Sequence, residues 1–267
     1  MKRLAVVGAG KLGEALLSGM LRGGRRAEDI VISVRRPERG TLLADRYGVT
    51  VVPARQAAEA DIVLVCVKPQ DVDTLMDELA PAISADNLVI SVAAGIPTGY
   101  YAKRFAADTP VVRAMPNTPV LVDEAMTAIS GGEFARERHL AAAEEIFSAV
   151  GKVLRVPESQ QDAVTALSGS GPAYFYYLVE AMTDAGILLG LPRQQAHDLI
   201  VQSAIGAAIM LRDSGEHPVT LREAVTSPGG TTINAIRELE NHGVRAALLA
   251  AIEAARDRSR DLGRLHE

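Results

Sequence analysis

Two clusters of small and hydroxyl residues, one near each end of the chain, have the residue types that bind anions. The later one, Thr226-Ser227-Pro228-Gly229-Gly230-Thr231-Thr232, stands directly before the periodic apolar residues Ile233, Ile236 and Leu239. Proline and paired glycines turn the backbone tightly. Hydroxyls at the start of a helix then offer side-chain and backbone donors to a carboxylate or phosphate at the positive helix end. The same residue types also make ordinary caps and turns, so on this run alone both readings stand. The earlier cluster, Gly8-Ala9-Gly10-Lys11-Leu12-Gly13, joins the apolar run at 3–7 to the helical pattern Leu12, Leu16, Leu17, Met20, Leu21. In a strand, turn and helix, the first glycine permits the turn and the second lets backbone approach a pyrophosphate. The third lets helix and strand pack closely. The spacing predicts a dinucleotide site with Gly8, Gly10, Lys11, Leu12 and Gly13 around the phosphates.

Which dinucleotide follows from the end of the next strand, at 30–34, where the adenine ribose falls. An NAD site places a carboxylate there, which would repel a 2′-phosphate. This chain reads Val34-Arg35-Arg36-Pro37. Two guanidiniums and no acid predict NADP(H) as the preferred cofactor, with NAD(H) as the alternative and a merely solvated arginine turn as the bland one.

The elements that must hold these clusters fall into two halves. Up to Pro157, short β-rich runs at 3–7, 30–34, 49–52, 62–67, 88–92, 111–113, 126–130 and 153–156 alternate with helical patterns. That alternation implies a mainly parallel, doubly wound α/β sheet. After Pro157 come helical patterns at 164–189, 193–211, 221–225, 233–241 and 244–262, punctuated by Gly190, Pro192, Gly215, Pro218 and Gly243. The expected domains are 1–157, dinucleotide-binding, and 158–267, all-helical. Ligands of open α/β sheets bind beyond the carboxyl ends of strands. Val67-Lys68-Pro69 and Ala93-Ala94-Gly95 follow two of those ends. Lys68 there is either a phosphate or ribose contact or a plain loop lysine. Met115-Pro116-Asn117-Thr118-Pro119 reads as a rigid loop, because each proline restricts the residue before it. Ser168-Gly169-Ser170-Gly171 interrupts a helical pattern, which close packing or a pocket wall would each explain.

Composition limits the function classes. A net charge of −5 leaves no basic footprint for nucleic acid. No tract of about 18 apolar residues is present to span a bilayer. Met1-Lys2-Arg3 precedes too short an apolar run for a secretory signal. The single Cys66 excludes an intrachain disulfide and suits a reducing cytoplasm. Within an apolar run it is a poor nucleophile. His139, His197, His217, His242 and His266 lack paired helical spacing, so no metal site is expected.

Taken together, Gly8 to Gly13, Val67-Lys68-Pro69, Met115 to Pro119, Leu167 to Tyr174 and the Thr226 to Thr232 block resemble the pyrroline-5-carboxylate reductase family. The resemblance runs in order along essentially the whole chain. It implies an N-terminal Rossmann-type domain and a C-terminal all-helical domain that binds substrate and interlocks with a second subunit, as dimers or rings of five dimers. The implied reaction is NADPH-dependent reduction of the C=N bond of 1-pyrroline-5-carboxylate to L-proline, the last step of proline biosynthesis. Position by position, Ser227, Gly230, Thr231 and Thr232 would hold the substrate carboxylate, with the Thr232 hydroxyl near the ring nitrogen as the catalytic group. Glu158 matches a position lining the substrate pocket. Ala94 with Val67, Lys68 and Pro69 matches nicotinamide-side contacts, and whether Tyr174, Tyr176 or Tyr177 enters the pocket stays open. The chain departs from the pattern at Val52-Pro53-Ala54-Arg55, where the family often has an adenine-side Asn. Two rival readings are a β-hydroxyacid-type dehydrogenase and a non-catalytic NADP(H)-binding regulator. The dehydrogenase needs a catalytic lysine in the interdomain or helical part, yet the lysines here are Lys2, Lys11, Lys68, Lys103 and Lys152. The regulator would not need Ser227 and Thr232.

Overall fold

The computed structural model describes residues 3–264; Met1, Lys2 and the expected surface residue His266 lie outside the described residues. Eight strands form one sheet: β1 (Leu4–Val7), β2 (Ile30–Ser33), β3 (Thr50–Val51), β4 (Ile62–Val65), β5 (Leu88–Ser91), β6 (Val111–Met115), β7 (Ala125–Gly131) and β8 (Gly151–Arg155). The helices of this first part are α1 (Lys11–Arg22), α2 (Pro37–Tyr47), α3 (Ala54–Ala57), α4 (Val72–Leu79), α5 (Thr98–Ala102), α6 (Glu137–Ser148) and α7 (Gln161–Val164). The helical part continues with α8 (Gly171–Leu188), α9 (Arg193–Ser214), α10 (Pro218–Ala224), α11 (Thr231–Asn241) and α12 (Val244–Arg264).

The strand order is β3-β2-β1-β4-β5-β6-β7-β8, and the only antiparallel pair in it joins β6 to β7. This is the doubly wound arrangement that the alternating pattern predicts. Every residue of β1, β2, β4 and β5 is buried, because helices cover both faces, which is why these strands read as unbroken apolar runs. Side chains still alternate. Leu4, Val6, Ile30, Ile32, Leu64 and Ile90 join Leu16, Leu17 and Phe147 in one core. Ala5, Val7, Val31, Val63, Val65 and Val89 join Met76, Leu79 and Tyr101 in the other.

Register matters most for the site. Val7 pairs with Ser33 and with Val65, and Val65 pairs with Ser91. The four strands therefore end in one row, and the turns that follow them lie side by side. The expected strand at 62–67 stops at Val65 because Cys66 and Val67 bend to meet the first glycine turn, with Cys66 N–H donating to Val7 O at 2.7 Å.

The chain divides into two compact units, Met1–Ser170 with Ala255–Glu267, and Gly171–Ala254. In the second, α8 and α9 pack closely: a Cβ on Gly186 would lie 2.6 Å from the Ala196 Cβ. The helical pattern expected at 164–189 is broken by a π turn at Thr165–Gly169, and α8 starts only at Gly171. Among the described residues, no helix is long and apolar enough to cross a membrane.

Candidate active site

The glycine turn has the geometry its spacing predicts. Gly8 has φ +90, and a Cβ there would lie 2.9 Å from the Val67 nitrogen, so no other residue fits without displacing the β4 turn. Its N–H donates to Ser33 O at 2.8 Å. Gly13 meets Gly8 from the helix side, where a Cβ would be 2.9 Å from the Gly8 carbonyl oxygen. Gly10 differs from both. No atom lies within 4 Å of the space its Cβ would fill, and it starts α1 without a side-chain cap. Exposed Lys11 and half-buried Leu12 follow it on the first turn of α1. An uncapped, positively polarised helix end beside open space fits a pyrophosphate.

Arg39 on α2, which the motif analysis passed over, reaches this turn. Its Nε donates to Ala9 O at 3.2 Å and its terminal nitrogen pairs with Glu14 of α1. Glu14 also accepts from Arg46 at 3.1 Å and from the Tyr47 hydroxyl at 3.0 Å. Partial burial raises the Glu14 pKa, but the hydrogen bonds from Arg39 and Tyr47 and the charges of Arg39 and Arg46 outweigh it, so the carboxyl sits below its ordinary value. Arg35 and Arg36 are both exposed at the end of β2. Arg35 faces Asp71 at 3.3 Å, an acid delivered from the β4 side that the strand-end sequence does not contain.

On the other flank of the turn lie the ends of β4 and β5. Val67 packs against Gly8, Lys68 is exposed, and Pro69 opens a short 3-10 turn, Pro69–Asp71. Burial pushes the Cys66 thiol up to about 12, which leaves it protonated and unreactive at neutral pH. Ala94 is half-buried beside Gly95, whose φ is +78. Gly95 is backed by α12, since a Cβ on Gly263 would sit 2.9 Å from the Gly95 carbonyl oxygen.

Glu158 accepts from Thr98 N at 2.7 Å and from Thr98 Oγ1 at 2.6 Å, at the start of α5. Behind it is Arg113 of β6, buried, 3.7 Å from Glu158 and 3.7 Å from Asp162. Asp162 in turn accepts from Ser259 of α12 at 2.8 Å. Thr98, Arg113, Asp162 and Ser259 carry no local motif. The one available signal is an arginine within the apolar run Val111-Val112-Arg113-Ala114, at a register position that must be buried.

Met115 to Pro119 and the π turn are linked. Asn117 donates to Ser168 O at 3.3 Å while its Oδ1 accepts from Met126 N at 2.9 Å. Gly169 is needed for packing, since a Cβ there would lie 2.6 Å from the Met115 methyl carbon.

The late cluster lies in the other unit. Gly229 has φ +66, and Gly230 N–H donates to Ser227 O at 3.1 Å. Gly230 starts α11 without a side-chain cap, and a Cβ on it would collide with the Ser227 hydroxyl. Asn234 covers the Gly230 carbonyl at 2.9 Å. Thr231 and half-buried Thr232 thus open an 11-residue helix whose N-terminus is uncapped. Tyr174 is half-buried, whereas Tyr176 and Tyr177 are exposed. His139 accepts from Arg136 N at 3.0 Å and His217 from Val219 N at 3.3 Å, both at helix starts, while His197 and His242 are exposed.

A glycine turn of the dinucleotide-binding type on a doubly wound sheet, followed by a helical part, is the plan of two-part, dinucleotide-dependent oxidoreductases. Residues 3–95 match the family described as NADP oxidoreductase coenzyme F420-dependent, and residues 158–262 match pyrroline-5-carboxylate reductase dimerisation. The chain is 47% identical to a pyrroline-5-carboxylate reductase from Mycobacterium tuberculosis, covering 98% of this chain and 97% of that one. It superposes on a pyrroline-5-carboxylate reductase from Coxiella burnetii with a TM-score of 0.92 at 34% identity, covering 98% of both. With the Plasmodium falciparum enzyme, solved with NADP bound, the TM-score is 0.88 at 26% identity, again covering 98% of both. The chain belongs to the pyrroline-5-carboxylate reductase family.

Proposed function

We propose that this protein reduces the C=N bond of 1-pyrroline-5-carboxylate to give L-proline, with NADPH as reductant, as a homo-oligomer in the cytoplasm. The observation that carries this reading is the near-complete coverage, at 47% identity, of a relative with that name. The division at 157/158 into a cofactor half and a substrate-binding, dimerising half belongs to the same proposal.

Gly8, Gly10, Lys11, Leu12 and Gly13 would hold the pyrophosphate, the open space at Gly10 being what a close-approaching phosphate needs. Arg35 and Arg36 would face the 2′-phosphate, and Val67, Lys68, Pro69 and Ala94 the nicotinamide half. Bound NADPH supplies the hydride that the imine carbon accepts.

Ser227, Gly230, Thr231 and Thr232 would hold the substrate carboxylate at the uncapped start of α11, where the helix dipole favours an anion. Glu158 keeps the substrate-side role that the family resemblance implies for it. The Thr232 hydroxyl would then hold the proton at the ring nitrogen, whose positive charge vanishes on reduction. Positioning of the reactants is the larger contribution. Proton handling adds about tenfold to a thousandfold, at or below what positioned proton transfer typically supplies.

The test is oxidation of NADPH with pyrroline-5-carboxylate, compared with a six-membered imine. Thr232→Ala is expected to cut turnover within that range and leave NADPH affinity intact; an equal loss of both removes the role given to Thr232. No oxidation by the wild type with either ring returns the chain to a regulator.

A further inference from the structure

The acid that opens the helical half, Glu158, has both of its oxygens engaged within the dinucleotide-binding unit. One accepts the Thr98 backbone N–H at 2.7 Å and the other the Thr98 hydroxyl at 2.6 Å. Thr98 ends the segment that leaves β5 through Ala94 and Gly95. That segment has little freedom elsewhere. Gly95 is in the left-handed region at φ +78, and the end of α12 closes its far side at Gly263.

Arg113 fixes the acid from behind. It is 6% exposed, and its Nη1 and Nη2 stand 3.7 Å from Glu158 and from Asp162 respectively. Nη2 itself has no hydrogen-bond partner. A buried guanidinium held between two carboxylates and not fully hydrogen-bonded is costly to retain for stability alone. Its charge holds the Glu158 carboxylate from the side opposite its two hydrogen bonds with Thr98.

We infer that Glu158 is a positioning residue for the nicotinamide half of the cofactor, acting through Thr98 on the segment 93–98 with Arg113 as its anchor. This inference rests on the proposed NADPH-dependent reduction and names how one residue of that site acts. The topology supplies the direction. The adenine ribose would fall at the end of β2 and the pyrophosphate at the β1 turn, so the remaining half of the dinucleotide would extend toward the ends of β4 and β5. The strands end in one aligned row, and a shift at Thr98 is therefore a shift of that flank and not of the β2 flank.

Two ligands titrated by fluorescence or calorimetry separate the two flanks, independently of turnover: intact NADPH, and adenosine 2′,5′-bisphosphate, which carries only the adenine half. Glu158→Ala is expected to weaken NADPH by about tenfold, the scale of one lost charge-assisted hydrogen bond, with the bisphosphate unchanged. Thr98→Val shifts NADPH in the same direction. The double variant is no weaker than Glu158→Ala alone, because both act on one contact. Glu158→Gln, which keeps an oxygen for the Thr98 N–H, restores most of the affinity. Equal weakening of both ligands overturns the inference, since that is general loosening. Additive effects in the double variant also overturn it, as does a Glu158→Ala enzyme in which only the KM for the imine rises. Should Glu158→Ala not fold, Thr98→Val with unaltered NADPH affinity is sufficient to reject it. The wild-type assay tests the reductase reading separately, so the two failures are distinguishable.

Discussion

The two corners proposed to cradle anions differ in what supports them. The glycine turn at 8–13 sits on strands in which Leu4, Ala5 and Val6 are fully buried, so its own unit completes the core beneath it. The corner at 227–232 belongs to a unit whose α8 and α9 leave large apolar groups in the open, with Tyr177 71% and Leu188 88% exposed. Apolar side chains distributed around a helix need burial on more than one side. An exposed apolar surface of this kind marks an interaction site. The first corner is backed by the core of its own unit, whereas the second lies in a unit with an exposed apolar face, in keeping with the dimerisation family that residues 158–262 match.

The sharpest way to break this comparison is to attack the open face. Tyr177→Asp with Leu188→Asp is expected to give monomers by analytical ultracentrifugation and to abolish imine reduction, because the corner loses its support. NADPH binding by the first unit should persist. A fully active oligomer would show that these residues are not the interface.

A smaller effect is expected from crowding the first corner without touching its core. Gly10→Ala places its Cβ in open space, so the melting temperature should hold while NADPH affinity falls at least about tenfold through lost backbone approach. Gly8→Val should instead lower the melting temperature, since φ +90 and the Val67 backbone leave no room. Parallel behaviour of the two variants would remove the distinction between a structural and a ligand-facing glycine.

Next in size is cofactor choice. Arg35→Ala with Arg36→Ala should raise the KM for NADPH about tenfold or more and leave that for NADH nearly unchanged, as the loss of charge-assisted contacts to one phosphate predicts. Asp71→Asn should move the ratio the other way, since it removes an acid 3.3 Å from Arg35. An unchanged ratio in both would place the 2′-phosphate elsewhere.

The smallest effect belongs to Glu14, which braces α1 against α2. Its pKa is lowered on folding, so its contribution is present above the ordinary value of 4.5 and fades as pH falls below that. The melting-temperature gap between wild type and Glu14→Gln should therefore be open at pH 7 and close in acid. A gap independent of pH would mean that the charge of Glu14 is immaterial.

Much of this molecule is written locally. The eight β-rich runs mark the eight strands to within a residue or two; for β1, β2, β4 and β5 the reason is that strands buried on both faces must be continuously apolar. The positions of Gly8, Gly10 and Gly13 follow from spacing, because a tight turn from strand to helix is limited by the allowed backbone conformations of a few consecutive residues. Asp71 beside Arg35, Arg39 on the Ala9 carbonyl, and Arg113 behind Glu158 were not legible, since each pair is far apart in sequence and marked by no motif.

Residue order alone determined the doubly wound sheet, the glycine turn, the helical second half and the two corners proposed to hold anions. These depend on periodicity and on the allowed conformations of single residues. Only the tertiary structure decided which of those residues are already engaged. Glu158 is joined to Thr98, the half-buried Cys66 thiol is kept protonated by desolvation, and Gly10 is the one glycine of its turn facing open space. Burial and partnership are properties of the packed chain, and no stretch of sequence contains them by itself.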